Sequence, residues 1–162
     1  MRNHLQSKHK IITESYRSSY SEKSECCGLH IHSIKLTNDL YQHGVLYNKS
    51  KILIPPTINQ VPEHLINHFI RGYFDGDGSV YEYSKTHEGS ISFVGTEAML
   101  TWILQNLKSY VNTNAKVYKY KHKDIYEFKI GGIYNFLNAY KYLYNNATIF
   151  LDRKKSKYEN IL

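Results

Sequence analysis

One short run, residues 70–78 (IRGYFDGDG), constrains this chain of 162 residues more than any other. Bulky side chains lead into it at helical spacing, which predicts an amphipathic helix. The run ends in two aspartates, Asp75 and Asp77, set among three glycines. Carboxylates are disfavoured at the negative end of a helix dipole, so another charge must offset them. A divalent cation is the simplest candidate for that charge.

Two of the glycines define a face of the predicted helix. Gly72 and Gly76 lie four residues apart, so they fall on the same side. Each costs a helix interior about 1 kcal/mol relative to alanine. Without side chains, they would let a second backbone approach closely. The run therefore predicts a helix that packs tightly on a twin and carries acid at its tip.

Composition narrows the class of partner. The formal net charge is +7 and the isoelectric point is near 9.2, which favours a polyanion such as nucleic acid. No apolar run approaches the ~20 residues of a membrane span, and residues 1–10 are polar and basic, unlike a signal peptide. Cys26 and Cys27 make no disulfide framework, which favours a reducing compartment. We expect an intracellular protein that is not secreted and has no membrane partner.

Hydrophobic periodicity and turn residues divide the chain into elements. Before the glycine–aspartate helix, they predict strands over about 8–20 and 25–32, a polar linker at 21–24 and a helix over about 34–43. After it, they predict strands at 79–85 and 90–94, a helix at 97–110, strands at 116–123 and 125–131, a helix at 133–144 and a basic tail. The second half thus has the order helix, strand, strand, helix, strand, strand, helix.

The wider stretch 68–79 (HFIRGYFDGDGS) resembles the second signature of two-repeat LAGLIDADG homing endonucleases. The element order after it and the late pair Arg153-Lys154 agree with that resemblance. It implies an α+β fold of αββαββα type, with a twisted antiparallel saddle of strands over duplex DNA. Residues 62–162 would form one complete repeat. Residues 1–61 would form an incomplete first repeat that lacks a signature helix.

The resemblance also implies an activity: sequence-specific, metal-dependent hydrolysis of double-stranded DNA, with Mg²⁺ or another divalent cation held between two signature helices. Asp77 matches the metal-binding, catalytic carboxylate. Lys154 and Lys49 match the basic residues near the hydrolytic water. Because the chain carries one signature, a homodimer partner or a complementary fragment is expected to supply the second helix. The matching helix-interface positions are Gly72, Gly76 and Asp75.

Alternation along the strands predicts a nucleic-acid surface. Lysines 119, 121 and 123 are expected to share one face, opposite Tyr118 and Tyr120. A solvated lysine face is the alternative interpretation of that pattern. The full set of residues predicted to face DNA is Tyr81, Tyr83, Lys85, Ser92, Lys119, Lys121, Lys123, Glu127, Lys129, His30 and His32.

Other functions stay open at this point. A binding protein that holds DNA or intron RNA without cutting fits a chain with one signature, and so does a purely structural fragment. The residues Asp75 to Gly78 could be a plain acidic turn, but that leaves the glycine spacing unexplained. A zinc site is disfavoured because adjacent cysteines, Cys26 and Cys27, point to opposite faces of a strand.

Overall fold

The computed structural model describes residues 6–18, 21–47, 51–83, 88–120 and 124–161, with the backbone alone described for 16–18, 21–24 and 83. The chain forms two compact units, Met1–Tyr41 and Gln42–Leu162. The repeat border expected at residue 61 is a different kind of division and stays a prediction. Within the described residues, no helix is long and apolar enough to cross a membrane.

The first unit is an antiparallel hairpin followed by a helix. Strand β1 (Ile11–Ser18) pairs with β2 (Ser21–Leu29), and helix α1 (Ile34–Gln42) follows. The polar linker predicted at 21–24 is wrong, because Ser21 and Ser24 pair with Ser18 and Tyr16 in the ladder. Backbone pairing needs no apolar side chain, so polar residues can extend a hairpin. Helix α1 buries none of its residues.

The second unit confirms the expected αββαββα order and adds one helix. A 3₁₀ turn (Glu63–Leu65) leads into the glycine–aspartate helix, α2. The elements are α2 (Ile66–Asp77), β3 (Ser79–Tyr83), β4 (Glu88–Gly95), α3 (Glu97–Lys108), β5 (Tyr118–Lys119), β6 (Tyr126–Gly131), α4 (Ile133–Tyr144) and α5 (Asp152–Glu159). The basic tail predicted after α4 is thus the helix α5. The four strands form one antiparallel sheet in the order β3-β4-β6-β5.

The register of this sheet separates an apolar face from a polar face. Paired residues of antiparallel strands share a face, and Ile91 pairs with Ile130 while Phe93 pairs with Phe128. All four are fully buried. Helices α2, α3 and α4 pack on this face, and Phe74 of α2 lies 5.1 Å from Phe93 between ring centroids. The core therefore holds α2 against the sheet, with its aspartate end beside the start of β3.

Candidate active site

A lysine occupies the negative end of α2, where the sequence suggested a metal ion. The Lys154 ammonium donates to the carbonyl oxygens of Phe74 and Gly78, both at 2.5 Å, and lies 3.5 Å from that of Gly76. The Phe74 carbonyl also accepts from the Gly78 backbone N–H at 2.8 Å, so the lysine is a second donor there. Gly78 directly follows the last residue of the helix. Burial lowers the pKa of Lys154, and the charge of Arg153 adds to that effect. A positive charge from α5 thus offsets the dipole of α2.

Asp75 is tied to the same side of the helix. Its two carboxylate oxygens accept hydrogen bonds from the Tyr144 hydroxyl at 2.8 Å and the Leu151 backbone N–H at 2.9 Å. Burial and this hydrogen bond raise the pKa of Tyr144. The expectation that Asp75 shares the helix interface with the glycines is corrected here. Its side chain points to α4 and to the N-terminus of α5, because those groups satisfy both of its oxygens.

Sequence reasoning missed Arg71, which is buried one turn earlier on the same side. Its guanidinium donates to the carbonyl oxygens of Ile149 at 2.9 Å and Leu143 at 3.3 Å. It also lies 2.5 Å from Nδ1 of His68, which must accept because arginine can only donate. The signal available was a single arginine in a helix whose other charged residues are the two aspartates. It joins α2 to the segment between α4 and α5.

The opposite side of α2 is open. A Cβ atom added to Gly72 or Gly76 would meet no atom of the described residues within 4 Å. Beside these glycines runs a groove of about 490 Å³. Its walls come from α2, from Met99 of α3 and from the connector that precedes α2, mostly as apolar side chains: Val45, Leu46, Ile52, Leu53, Ile54, Pro55, Pro56, Phe69 and Tyr73. The glycine face therefore lies beside an apolar groove.

Asp77 lies at the open end of this groove. It is the last residue of α2 and is exposed. In the part of the chain that the structure describes, no hydrogen bond or ion pair reaches its carboxylate. The nearby Tyr73 donates to the Val94 carbonyl at 3.0 Å. Burial raises the pKa of Tyr73 to about 12, and the negative charge of Asp77 contributes.

The two aspartates therefore differ in availability. Asp77 offers a hard oxygen donor of the kind that Mg²⁺ prefers, whereas both oxygens of Asp75 are engaged. Among the described residues there is no group of three or more His, Cys, Asp or Glu side chains that could hold a metal ion. Asp77 alone could therefore supply part of the oxygen ligands of a metal site, and the other ligands would have to come from elsewhere.

The polar face of the sheet differs from the predicted one. Tyr118 pairs with Glu127, so Tyr118 lies on the polar face and Lys119 points to the other side. Lys119 pairs with Asp124 at 2.9 Å. The expectation that Lys119 faces DNA while Tyr118 faces away is therefore reversed. Strand β5 has only two residues, and its register, which the sequence pattern does not reveal, sets the direction of each side chain.

Ser92 has the predicted direction but not the predicted exposure. It pairs with Lys129, so it lies on the polar face, yet it is fully buried. Lys129 on β6 reaches across β4 to the ring of Tyr81 on β3, with its Nζ 5.5 Å from the ring centroid. That contact crosses β4, the strand that carries Ser92. Within the described residues, the Ser92 hydroxyl has no hydrogen-bond partner.

Glu127 is likewise on the polar face but 2% exposed. Its carboxylate accepts a hydrogen bond from the Tyr118 hydroxyl at 2.6 Å. Lys129 lies 3.7 Å from its other oxygen. The prediction that Glu127 presents itself to DNA is corrected, because the carboxylate is buried and engaged by these two side chains. Tyr81 and Lys129 are exposed on this face, as expected.

Of the remaining residues predicted to have a functional role, some lie within the described ranges and some lie outside them. His30 and His32 belong to the first unit and are exposed, after the end of β2. Tyr83 ends β3, and its backbone alone is described. Four predicted residues lie outside the described ranges: Lys49, Lys85, Lys121 and Lys123.

The sequence profile of a LAGLIDADG-like domain matches residues 65–148, which is just over half of the chain. The chain belongs to the LAGLIDADG family. The match begins one residue before α2 and spans both strand pairs and α4. A comparison with curated proteins found no match.

Solved structures similar to this LAGLIDADG chain include two homing endonucleases. I-CvuI, in complex with its target in the presence of 2 mM Ca, is 16% identical with a TM-score of 0.43. The aligned region covers 60% of this chain and 64% of that chain. I-TnaI is 15% identical with a TM-score of 0.42, over 59% of this chain and 67% of that chain. This chain thus spans about two thirds of their length.

Proposed function

We propose that this LAGLIDADG chain is a sequence-specific, metal-dependent endonuclease of double-stranded DNA that works with a second signature helix. The observation that carries the proposal is the pairing of an available carboxylate, Asp77, with the open face of Gly72 and Gly76. A free acid at a helix end is unusual, and here it stands beside a groove with space for another backbone. The net charge of +7 suits a polyanionic substrate.

The partner helix follows from the chemistry of phosphodiester hydrolysis. A divalent cation supplies charge neutralisation at the phosphate and an activated water, and it needs several oxygen ligands. Asp77 is one such ligand. A second copy of α2 packed on the glycine face would bring a second Asp77 beside the first. A homodimer therefore completes the donor set with the fewest assumptions, and a complementary fragment would do so equally.

Lys154 has a revised role in this proposal. Its ammonium is engaged with the carbonyl oxygens of Phe74 and Gly78, so it holds the last turn of α2 and thereby the position of Asp77. It is a positioning residue rather than a group that touches the reacting water. The corresponding role for Lys49 remains an expectation from the family resemblance.

The test is cleavage of a pool of randomised duplexes by the purified chain with Mg²⁺, compared with Asp77→Asn. We expect the wild type to cut a subset of duplexes and the variant to bind the same subset without cutting it. Loss of cutting in Asp75→Asn alone, with Asp77→Asn active, would overturn the assignment. A wild-type chain that forms a dimer on duplex DNA but neither cuts nor nicks it would overturn the endonuclease proposal.

A mixing experiment tests the shared site. If each active site needs Asp77 from two copies, an equal mixture of wild type and Asp77→Asn retains about a quarter of the activity of the same total amount of wild type. A monomer with a complete site would retain half. Sedimentation with and without duplex gives the oligomeric state independently of cleavage.

A second function is favoured by one observation, the engagement of Lys154 with backbone carbonyls. That leaves Asp77 as the available charged group at the helix tip, which suits a protein that binds DNA or intron RNA without cutting. Tight, salt-sensitive binding with no cleavage by either the wild type or Asp77→Asn would support this alternative.

A further inference from the structure

Five side chains form a continuous cluster on the polar face of the sheet. We name it the tyrosine–glutamate cluster: Tyr81, Tyr118, Tyr120, Glu127 and Lys129. Its members come from β3, β5 and β6 and from the segment just after β5, which holds Tyr120. Glu127 is its centre, since the Tyr118 hydroxyl and the Lys129 ammonium both contact its carboxylate.

In this cluster the charged glutamate is buried and the tyrosines are partly exposed, which is the reverse of an ordinary charged surface. The acid is 2% exposed, whereas Tyr81, Tyr118 and Tyr120 are each between 41% and 44% exposed. Charged carboxylates are rarely buried unless paired, so the Tyr118 hydroxyl and Lys129 stabilise it there. The Tyr118 hydroxyl points to the acid, and the three tyrosines form much of the exposed surface around it.

The orientation of the tyrosines follows from these bonds. A tyrosine on an exposed strand ordinarily samples several rotamers. Here a charge-assisted hydrogen bond of 2.6 Å fixes the Tyr118 hydroxyl on Glu127. The ring of Tyr120 lies 6.4 Å from that of Tyr118 between centroids, and Glu127 also raises the pKa of Tyr120. Glu127 thus holds the Tyr118 ring directly, and the Tyr120 ring packs beside it.

We infer that Glu127 is a positioning residue for duplex recognition. It orients Tyr118 and Tyr120, and these rings, with Lys129, discriminate between base pairs, while the carboxylate itself touches no base. A carboxylate that read cytosine would need to accept from its amino group, but the oxygens of Glu127 already accept from protein donors. This inference rests on the proposed function, because it takes the polar face as the DNA surface.

The first arm of the test uses the free protein and no DNA. Carbon-13 labelling of the tyrosine ring carbons allows the pKa of Tyr118 to be followed by NMR. The hydrogen bond and negative charge of Glu127 add to burial in raising the pKa of Tyr118. We expect Glu127→Gln to lower that pKa and to broaden the Tyr118 and Tyr120 signals. Unchanged signals would overturn the positioning role.

The second arm measures discrimination. Duplexes with a randomised core are bound to each variant, and the bound fraction is sequenced. We expect Glu127→Gln, Tyr118→Phe and Tyr120→Phe each to lose about tenfold in discrimination over the same few base pairs. The control Glu63→Gln removes the same charge from an exposed residue outside the sheet and should leave discrimination unchanged. Thermal unfolding of each variant excludes a general loss of structure.

The outcomes separate the two proposals. If Glu127→Gln loses discrimination while both phenylalanine variants keep it, the carboxylate reads the base and the inference is overturned. If all three keep it, the cluster has no part in recognition and the inference is also overturned. If the wild type binds no duplex at all, the proposed function fails, and the first arm still decides whether Glu127 positions the rings.

Discussion

The two sides of helix α2 differ in how firmly the rest of the chain holds them. On the side towards α4 and α5, Arg71 and Asp75 are bonded to backbone and side-chain groups, and Lys154 closes the last turn. On the other side, Gly72 and Gly76 face open space. The tied side therefore fixes the position of the helix, and the open side leaves it available for a partner. We therefore expect the functional surface of α2 to be the side that the rest of the chain leaves uncovered.

The largest expected effect is on the tied side. Lys154→Met keeps an apolar stem of similar length but removes the ammonium that donates to the carbonyls of Phe74 and Gly78. The Phe74 carbonyl keeps its bond from the Gly78 N–H. We expect a loss of about 3 kcal/mol in the free energy of unfolding, measured by urea denaturation. Lys157→Met, at an exposed position of the same helix, should change it by less than about 0.5 kcal/mol.

The same variant separates the roles of Lys154. If it only holds the helix, Lys154→Met should still cut DNA at temperatures well below its unfolding midpoint. Complete loss of cleavage in a folded variant would instead place the ammonium in the chemistry.

The next largest expected effect is a difference in stability between the variants of the two aspartates in α2. Asp75→Asn replaces an acceptor that two donors share, and we expect a loss of about 2 kcal/mol in urea unfolding. Asp77→Asn removes a charge that the helix dipole disfavours, so it should leave stability unchanged or raise it slightly. Equal losses in both variants would show that Asp77 is also tied.

Tyr144→Phe removes one donor from Asp75 and should cost about 1.5 kcal/mol at neutral pH. Its pKa is raised in the folded state, so the stability it contributes is fully present below its unfolded value of about 10 and is lost as pH rises above that. The wild type should therefore lose stability more steeply than Tyr144→Phe above pH 10. Tyr134→Phe, at a residue that is 82% exposed, is the control and should keep the wild-type slope.

The smallest expected change in the free energy of unfolding is a gain in stability rather than a loss. Gly76→Ala meets open space in a helix, so it should raise the stability of the single chain by about 1 kcal/mol while weakening association and cleavage. Gly78→Ala is the matched control, because its Cβ would lie 2.7 Å from the Phe74 carbonyl oxygen and should destabilise the chain. A Gly76→Ala chain that associates and cuts normally would remove the open side from the proposal.

The order of elements was predictable because it depends on local patterns. Thr96 indicated the start of α3 and accepts a hydrogen bond from the Met99 backbone N–H there. The neighbours of α2 were not predictable in this way. Lys154 lies 80 residues beyond Phe74, and nothing in the motif specifies the charge that completes its last turn. The direction of Tyr118 similarly depends on its register with β6, which periodicity in a two-residue strand cannot fix.

The contacts that hold the C-terminal end of α2 also determine when that end becomes fixed during translation. The ammonium that closes the helix follows Gly78 by 76 residues and Phe74 by 80, and the backbone N–H that anchors Asp75 follows by 76. During translation, α2 is therefore made long before the groups that secure its tip leave the ribosome. Such distant contacts form late, because loop closure must precede them. A nascent chain displays the acid without the scaffold that places it, so the acidic tip of α2 is secured last.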